Sequence, residues 1–459
     1  MILAALLSAA VAARTIDAAM LAPALRGAHV GLLAVDQSTG AVLYQRGADD
    51  DFVPASTFKL IVGSAAMSRL GPSFAFVTEV DDEGGIVAGT LSGNLYLRGG
   101  GDAELSPSDL DAAATAVAAA GVQRVEGALV ADSSHYVAPR YPGGWAIDDI
   151  PYGYAAVPAA LTLEMGVAHV RISPGALAGE PAVLQSDPSD AFQLDNATVT
   201  GVRGSDDTTD IDRPWDRPDA IRVVGSYPLG APLSDDLEPA VPDPVAYAAQ
   251  AFRAALLRHG IDVLGGVRDG RVPAAAHNLW THRSKPLSQL LADFWLPSRN
   301  VIGEQLLEEL GASSTGNDAR AAGIEDETQW LRAIGVDPAT LTIADGSGLS
   351  SYDRITPRAL VAILNADYGD SNRDAFLAAL PVAGLRGTLE GTFAGTPLAG
   401  NLIAKTGSLN HARLLAGFVK RSDGDIVTFA LMVNDWMDAS PHAQAALDTV
   451  RAAMLEALL

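Results

Sequence analysis

Three short groups of residues in this chain have the types and spacing that acyl transfer needs. Ser56 and Lys59 stand three residues apart, just before an apolar run over 60–70 that reads as a buried helix. That spacing puts the amine one helical turn from the hydroxyl, on the same face. A serine hydroxyl is a weak nucleophile until a neighbouring base takes its proton. A lysine can be that base when burial or nearby positive charge lowers its pKa. Ser298 and Asn300 sit on a turn, Pro297-Ser298-Arg299-Asn300, between two helical segments. A second serine can relay a proton, and Asn300 can hold a lysine or a substrate amide. Lys405-Thr406-Gly407-Ser408 ends a strand-like run. Lys405 would meet a substrate carboxylate and help depress the pKa of Lys59. Gly407 would let a substrate backbone approach the strand edge. Backbone N–H groups of Ser56 and Ser408 would form an oxyanion hole.

The basic residues sharpen this reading. Of 31 lysines and arginines only four are lysine, Lys59, Lys285, Lys405 and Lys420, and two of those lie in the motifs. Arginine cannot deprotonate in a protein whereas lysine can, so a lysine kept against that bias points to amine chemistry. Competing chemistries lack their signatures. There is no Gly-x-Ser-x-Gly elbow, no Walker loop and no His-Glu-x-x-His pair. His135, His282 and His411 suggest no Ser-His-Asp order, and the lysine mechanism needs no imidazole. The chain has no cysteine, which excludes disulfides, thiol catalysis and zinc–thiolate sites. The aspartate-rich stretch 206–219 lacks EF-hand spacing and reads as a solvated turn, so no cofactor and no metal is expected. A net charge of −24 argues against nucleic acid or an anionic membrane surface as partner.

The elements that must position these groups follow from periodicity. Apolar runs at 29–36 and 41–45 read as a hairpin, and 401–405, 413–420 and 426–433 as three strands near the other end. Helical patterns fall at 15–25, 243–259, 287–296, 301–310, 325–334, 356–367 and 441–459. This predicts an α+β fold, with an antiparallel sheet assembled from both chain ends and a helical lobe between. From about 76 to 267 short strand-like runs (93–97, 127–132, 167–173, 220–225) alternate with Gly, Asp and Pro turns, so that stretch reads as a β-rich insertion. Residues 1–13 form an apolar, alanine-rich run ending Ala-Val-Ala-Ala, which resembles a secretory signal segment without its positive n-region, as a truncated signal would be; the alternative is an N-terminal helix turn packed on the body. No other run has the length of a transmembrane helix.

The triplet Ser56-x-x-Lys59, Ser298-x-Asn300 and Lys405-Thr406-Gly407 resembles the active-site signature of penicillin-binding proteins and serine β-lactamases. Its surroundings narrow the likeness. The segments are Pro54-Ala-Ser-Thr-Phe-Lys-Leu60, Asp345-Gly-Ser-Gly-Leu-Ser350, Leu415-Ala-Gly-Phe-Val419, Arg98-Gly-Gly-Gly-Asp102, Asp132-Ser-Ser134 and Trp145-Ala-Ile-Asp-Asp149. They resemble the D-alanyl-D-alanine carboxypeptidases and endopeptidases of the class C low-molecular-mass penicillin-binding proteins. The likeness runs over about 15–459 and includes the large insertion that β-lactamases lack.

That resemblance implies a β-lactamase/transpeptidase-like catalytic domain at 14–76 and 269–459. It implies an inserted domain at 77–165 with 226–268, and a second, β-rich one at 166–225. Ser56 becomes the acylated nucleophile, Lys59 its base, Ser298 the proton relay and Asn300 a polar anchor. Lys405 and Thr406 bind the terminal carboxylate, Ser408 adds an oxyanion N–H, and Asp149 resembles the acidic partner of the stem's amino group. The expected partners are peptidoglycan stem peptides ending in D-Ala-D-Ala and β-lactam antibiotics, in a periplasmic or other extracytoplasmic location. Two positions depart from the pattern. Arg299 stands where aspartate is usual, and Ser351 where many members have arginine, with Arg354 three residues on. The second bears on preference for a meso-diaminopimelate stem, not on acylation. A β-lactamase or esterase on the same scaffold, and a non-enzymatic wall-binding protein with an idle site, are the alternatives. The insertion and the absence of an evident deacylating glutamate oppose the first, and the complete motifs oppose the second.

Overall fold

Both chain ends build the sheet that carries the motifs. In the computed structural model, which describes residues 2–186, 192–312, 318–437 and 440–459, strands His29–Asp36 and Val42–Arg46 join Leu402–Leu409, Ala412–Lys420 and Ile426–Asn434. Their order is 402–409, 412–420, 426–434, 29–36, 42–46, and every pair is antiparallel. The two ends meet in register, from His29 opposite Asn434 to Asp36 opposite Val427. Side chains alternate between faces along each strand. Leu33, Val35, Leu414 and Phe418 therefore enter one core, while Leu32, Ala34, Leu415 and Val419 enter another.

Helices Lys59–Arg69, Leu287–Trp295, Asn300–Leu310, Ala319–Ala333 and Pro357–Gly369 close the first core. Ile2–Ala19 and Pro441–Glu456 cover the second. The apolar segment at 1–13 continues without a break into the first of these helices, and Met1 lies outside the described residues. Ile16, and Met20 just past the helix end, are buried in the core. Among the described residues no helix is long and apolar enough to cross a membrane.

After the helix Lys59–Arg69 the chain leaves this sheet. Among the described residues, 77–283 contribute four more sheets and a third core drawn from Val80 to Val263. The largest of these sheets has the order Val267–Asp269, Leu129–Asp132, Leu95–Arg98, Val77–Asp82, His277–Arg283. Its last strand lies beyond 268, so the inserted sheet draws in chain as far as Arg283. Within the segment 166–225, residues 187–191 lie outside the described residues. The β-rich reading of this block missed a helix, Pro107–Ala119, which shares the third core with Pro244–Arg258. Ser106 and Asp109 form its capping box. The signal was present as Ser-Pro-Ser-Asp ahead of an alanine-rich run.

One glycine sets how closely the helix Lys59–Arg69 packs. A Cβ at Gly63 would lie 2.3 Å from Cζ2 of the fully buried Trp295. Gly63→Ala should therefore destabilise the fold by about 1–3 kcal/mol through overpacking. The measurement is the denaturant midpoint at constant slope; an unmoved midpoint would mean that Trp295 yields without cost.

Candidate active site

The turn that carries Ser56 is a forced piece of backbone. A 3-10 turn, Ala55–Phe58, leads straight into the helix that starts at Lys59. Ala55 holds φ at 45°, a conformation that costs a residue with a side chain of order 1–3 kcal/mol. Two glycines make room for the turn. A Cβ at Gly348 would lie 2.0 Å from the Ala55 carbonyl oxygen, and one at Gly407 would lie 2.7 Å from that of Pro54. Thr57 Oγ1 donates to the Pro54 carbonyl at 2.7 Å. Ala55, Thr57 and Phe58 are buried, and Ser56 is left facing the cleft.

Beneath Ser56 lies the Lys59 amine, fully buried. Its Nζ is 2.8 Å from Ser56 Oγ, 2.5 Å from Asn300 Oδ1 and 2.7 Å from the Ser347 carbonyl oxygen. As an ammonium it donates to all three. As a free amine it has two N–H groups for Asn300 and Ser347, and a lone pair left for the Ser56 hydroxyl proton. That is the geometry of a general base. Burial pulls the Lys59 pKa down to about 7, against the opposing pull of Asp345, Glu304 and Asp353. Lys405 was expected to share in lowering it. The repulsion between the two buried amines is mutual, and burial and then the Lys59 charge hold Lys405 well below the usual lysine range.

The facing wall comes from the start of the helix Asn300–Leu310. Ser298 holds φ at 65°, a second strained residue at the site. Lys405 Nζ donates to Ser298 Oγ at 2.8 Å and to the Thr406 carbonyl at 3.1 Å. Asn300 turns its carbonyl to Lys59 and donates through Nδ2 to the Tyr154 carbonyl at 2.7 Å. An inserted-block backbone atom thus fixes a catalytic-wall amide. Arg299 is exposed and outside the cleft lining, so its departure from aspartate leaves the site untouched.

The third wall is a sheet edge. Leu402–Leu409 is the outermost strand, and Thr406 and Ser408 from it line the cleft with Ser56. Thr406 Oγ1 is 2.7 Å from Thr388 Oγ1. Gly407 does not line the cleft. Its missing side chain admits the enzyme's own Pro54–Thr57 turn, a correction to the expectation that it admits substrate.

The cleft encloses about 890 Å³. Towards the inserted block it is lined by Gly144, Ala146, Asp149, Tyr154 and Ser351. Asp149 accepts the Tyr154 phenol at 2.8 Å, and burial together with that carboxylate raises the phenol's pKa. Arg354 is turned onto the carbonyls of Ser351 and Asp353 and is outside the lining, so it does not stand in for an arginine at 351. Sequence reasoning missed Ser347, Tyr154 and Thr388. Ser347 meets Lys59, and Tyr154 meets Asn300, through carbonyls, which every residue has; only the Asp345-Gly-Ser-Gly pattern hinted that a special loop passes there.

Comparisons with known proteins show what the chain is similar to. The family described as "D-Ala-D-Ala carboxypeptidase 3 (S13) family" matches residues 12–455. A D-alanyl-D-alanine carboxypeptidase from Actinomadura sp. (strain R39) is 37% identical over 443 residues, covering 93% of this chain and 82% of the relative. The D-alanyl-D-alanine carboxypeptidase DacB of Haemophilus influenzae is 26% identical, covering 89% of this chain and 86% of its own. The crystal structure of penicillin binding protein 4 from Haemophilus influenzae shares the fold, with a TM-score of 0.87 at 24% identity over 96% of this chain and 99% of that one.

Lys59 can act as a base only without its proton, and its lowered pKa makes that form abundant above about pH 7. Acylation of Ser56 should fall roughly tenfold for each pH unit below that point and level off above it. Single-turnover acylation rates across the acid-to-neutral range check this. A rate independent of pH would exclude Lys59 as the base.

Proposed function

The chain belongs to the D-Ala-D-Ala carboxypeptidase 3 (S13) family, and we propose that it hydrolyses D-Ala-D-Ala peptide ends through an acyl-enzyme on Ser56. The observation that carries this reading is the buried Lys59 amine at 2.8 Å from the Ser56 hydroxyl, on the floor of an open cleft. In this reading Lys59 takes the Ser56 proton as Oγ attacks the carbonyl between the two D-alanines. The oxyanion is met by the backbone N–H groups of Ser56 and Ser408, pre-oriented donors of the kind that stabilise developing charge. The C–N bond then breaks, and the proton that Lys59 took from Ser56 passes through Ser298, hydrogen-bonded to Lys405, to the leaving amine, which leaves Lys59 a free amine again. Water hydrolyses the ester and restores Ser56.

Lys405 and Thr406 serve the terminal carboxylate. In the empty cleft burial and Lys59 disfavour the Lys405 ammonium. An arriving carboxylate beside Thr406 favours it again, so charge forms where substrate needs it. Asp149, held by the Tyr154 phenol, lines the cleft at the inserted-block end, which supports its taking an amine of the stem peptide in this reading. A cleft of about 890 Å³ has room for far more than a dipeptide end. This supports a second activity, cleavage of peptide cross-links, in which another stem takes the place of D-alanine as leaving group. A penicillin would enter the same path. Its ring amine stays tethered after attack, which leaves a long-lived ester on Ser56. The substrate polymer implies a working place outside the cytoplasmic membrane.

Two measurements test the assignment. Intact mass after incubation with a simple penicillin should show one adduct of the drug's mass in the wild type and none in a folded Ser56→Ala variant. Labelling of that variant would rule out this nucleophile. Lys405→Ala should weaken kcat/KM for peptides bearing a terminal carboxylate by about 10²-fold or more, against a smaller loss for neutral esters. Equal losses would take carboxylate recognition away from Lys405.

A further inference from the structure

The inserted block reaches the general base by a route that no substrate contact explains. Residues 143–154 of that block lie along the loop Asp345–Ser350, whose Ser347 carbonyl accepts the Lys59 amine at 2.7 Å. The contacts are specific. Ser350 Oγ donates to the Gly143 carbonyl at 2.7 Å, and the Ser351 N–H donates to that of Gly144 at 3.1 Å. Trp145 donates through Nε1 to Asp345 Oδ2 at 2.8 Å.

Asp345 is the hub of that loop. It is fully buried and accepts the N–H groups of Ser347, Gly348 and Ser350, the Ser347 hydroxyl and the Trp145 indole. From the helix Asn300–Leu310, Glu304 accepts the Gly346 N–H at 3.2 Å. Gly303 and Gly346 are pressed together there, since a Cβ at Gly346 would lie 2.4 Å from the Gly303 carbonyl oxygen. The loop therefore cannot slide without moving both Lys59 and the helix that carries Asn300.

The electrostatics converge on the same place. Around Lys59 and Asp345, among the described residues, the buried carboxyl groups include Glu304, Glu327 and Asp353, and the buried basic groups are Lys405 and Arg320, the latter paired with Glu308. Burial raises Glu304 to about 8 and holds Glu327 and Asp353 well above the usual carboxylate range. Asp345 is the foremost of the carboxylates that favour the charged form of Lys59.

We propose that Trp145, a residue of the inserted block, is a positioning residue for the general base, its indole N–H bracing the Asp345 carboxylate and so governing how firmly Lys59 holds its proton. The inference rests on the Ser56–Lys59 assignment above. Trp145 itself is outside the cleft lining, so it acts through the loop and not by touching substrate. Each hydrogen bond to a carboxylate draws off part of its negative charge. An Asp345 relieved of the indole donor attracts the Lys59 ammonium more strongly, and the free amine then appears only at higher pH.

The test is the pH profile of Ser56 acylation, read with a penicillin and with a D-Ala-D-Ala peptide. Trp145→Phe keeps the ring and removes the donor. The acid limb should move to higher pH by about half a unit, a roughly threefold slower acylation on that limb, for both reagents alike. On the plateau, near about pH 9, the rate should return to the wild-type value. Asp345→Asn removes the charge, and its acid limb should move the opposite way; where that variant does not fold, Trp145→Phe decides alone. A Trp145→Phe profile superimposed on the wild type, or one lowered equally at every pH, overturns the proposal. A wild type that penicillin does not acylate would instead overturn the assignment beneath it.

Discussion

Everything at this site depends on keeping one amine dry. Lys59 is wholly enclosed, and the desolvation that encloses it is what turns an ordinary ammonium into a base near neutral pH. Burying a charge is costly unless partners compensate. The three acceptors Ser56 Oγ, Asn300 Oδ1 and the Ser347 carbonyl supply that compensation without adding a full charge at contact distance. The Coulomb pull of the nearby carboxylates comes from farther off. The result is an amine poised between its two forms.

Holding those acceptors in place explains features that otherwise look unrelated. The strained Ala55 and Ser298 backbones sit on opposite sides of the cleft, each aiming a serine at a lysine. Gly348 and Gly407 are required because the nucleophile turn is packed between the Asp345 loop and the sheet edge. Trp295, seated against Gly63, donates to the Lys59 carbonyl at 3.2 Å and anchors the helix behind the amine. The inserted block closes the arrangement through the Tyr154 carbonyl and the Trp145 indole. A lobe that looks like an accessory in the chain order is part of the catalytic wall.

Much of this was legible before any coordinates. Apolar runs at both ends predicted the antiparallel sheet, and its strands lie close to those runs, except that the motif strand continues past 405 to Leu409. The three motifs picked out Ser56, Lys59 and Lys405, which the fold brings to one cleft wall and floor. The helix Pro107–Ala119 was missed although its capping box was visible, because turn-rich chain on either side set the expectation of strands. Backbone acceptors such as Ser347 and Tyr154 were not legible at all, since a carbonyl leaves no mark in residue type.

The division has a physical basis. Residue types and local spacing decide which groups can do chemistry and which short segments form helices or strands, because both depend on neighbours within a few positions. Burial does not. The environment of Lys59 is assembled from segments near 56, 154, 300, 347 and 405, and only their packing excludes water. For that reason Lys405 could be named from its motif while its complete burial beside Lys59 could not. Gly407 likewise could be singled out as a close-approach position, yet only the packed structure shows that the approaching backbone is the protein's own. Sums of desolvation and long-range contact belong to the tertiary structure, and they put a buried amine of lowered pKa against the hydroxyl of a serine three residues away.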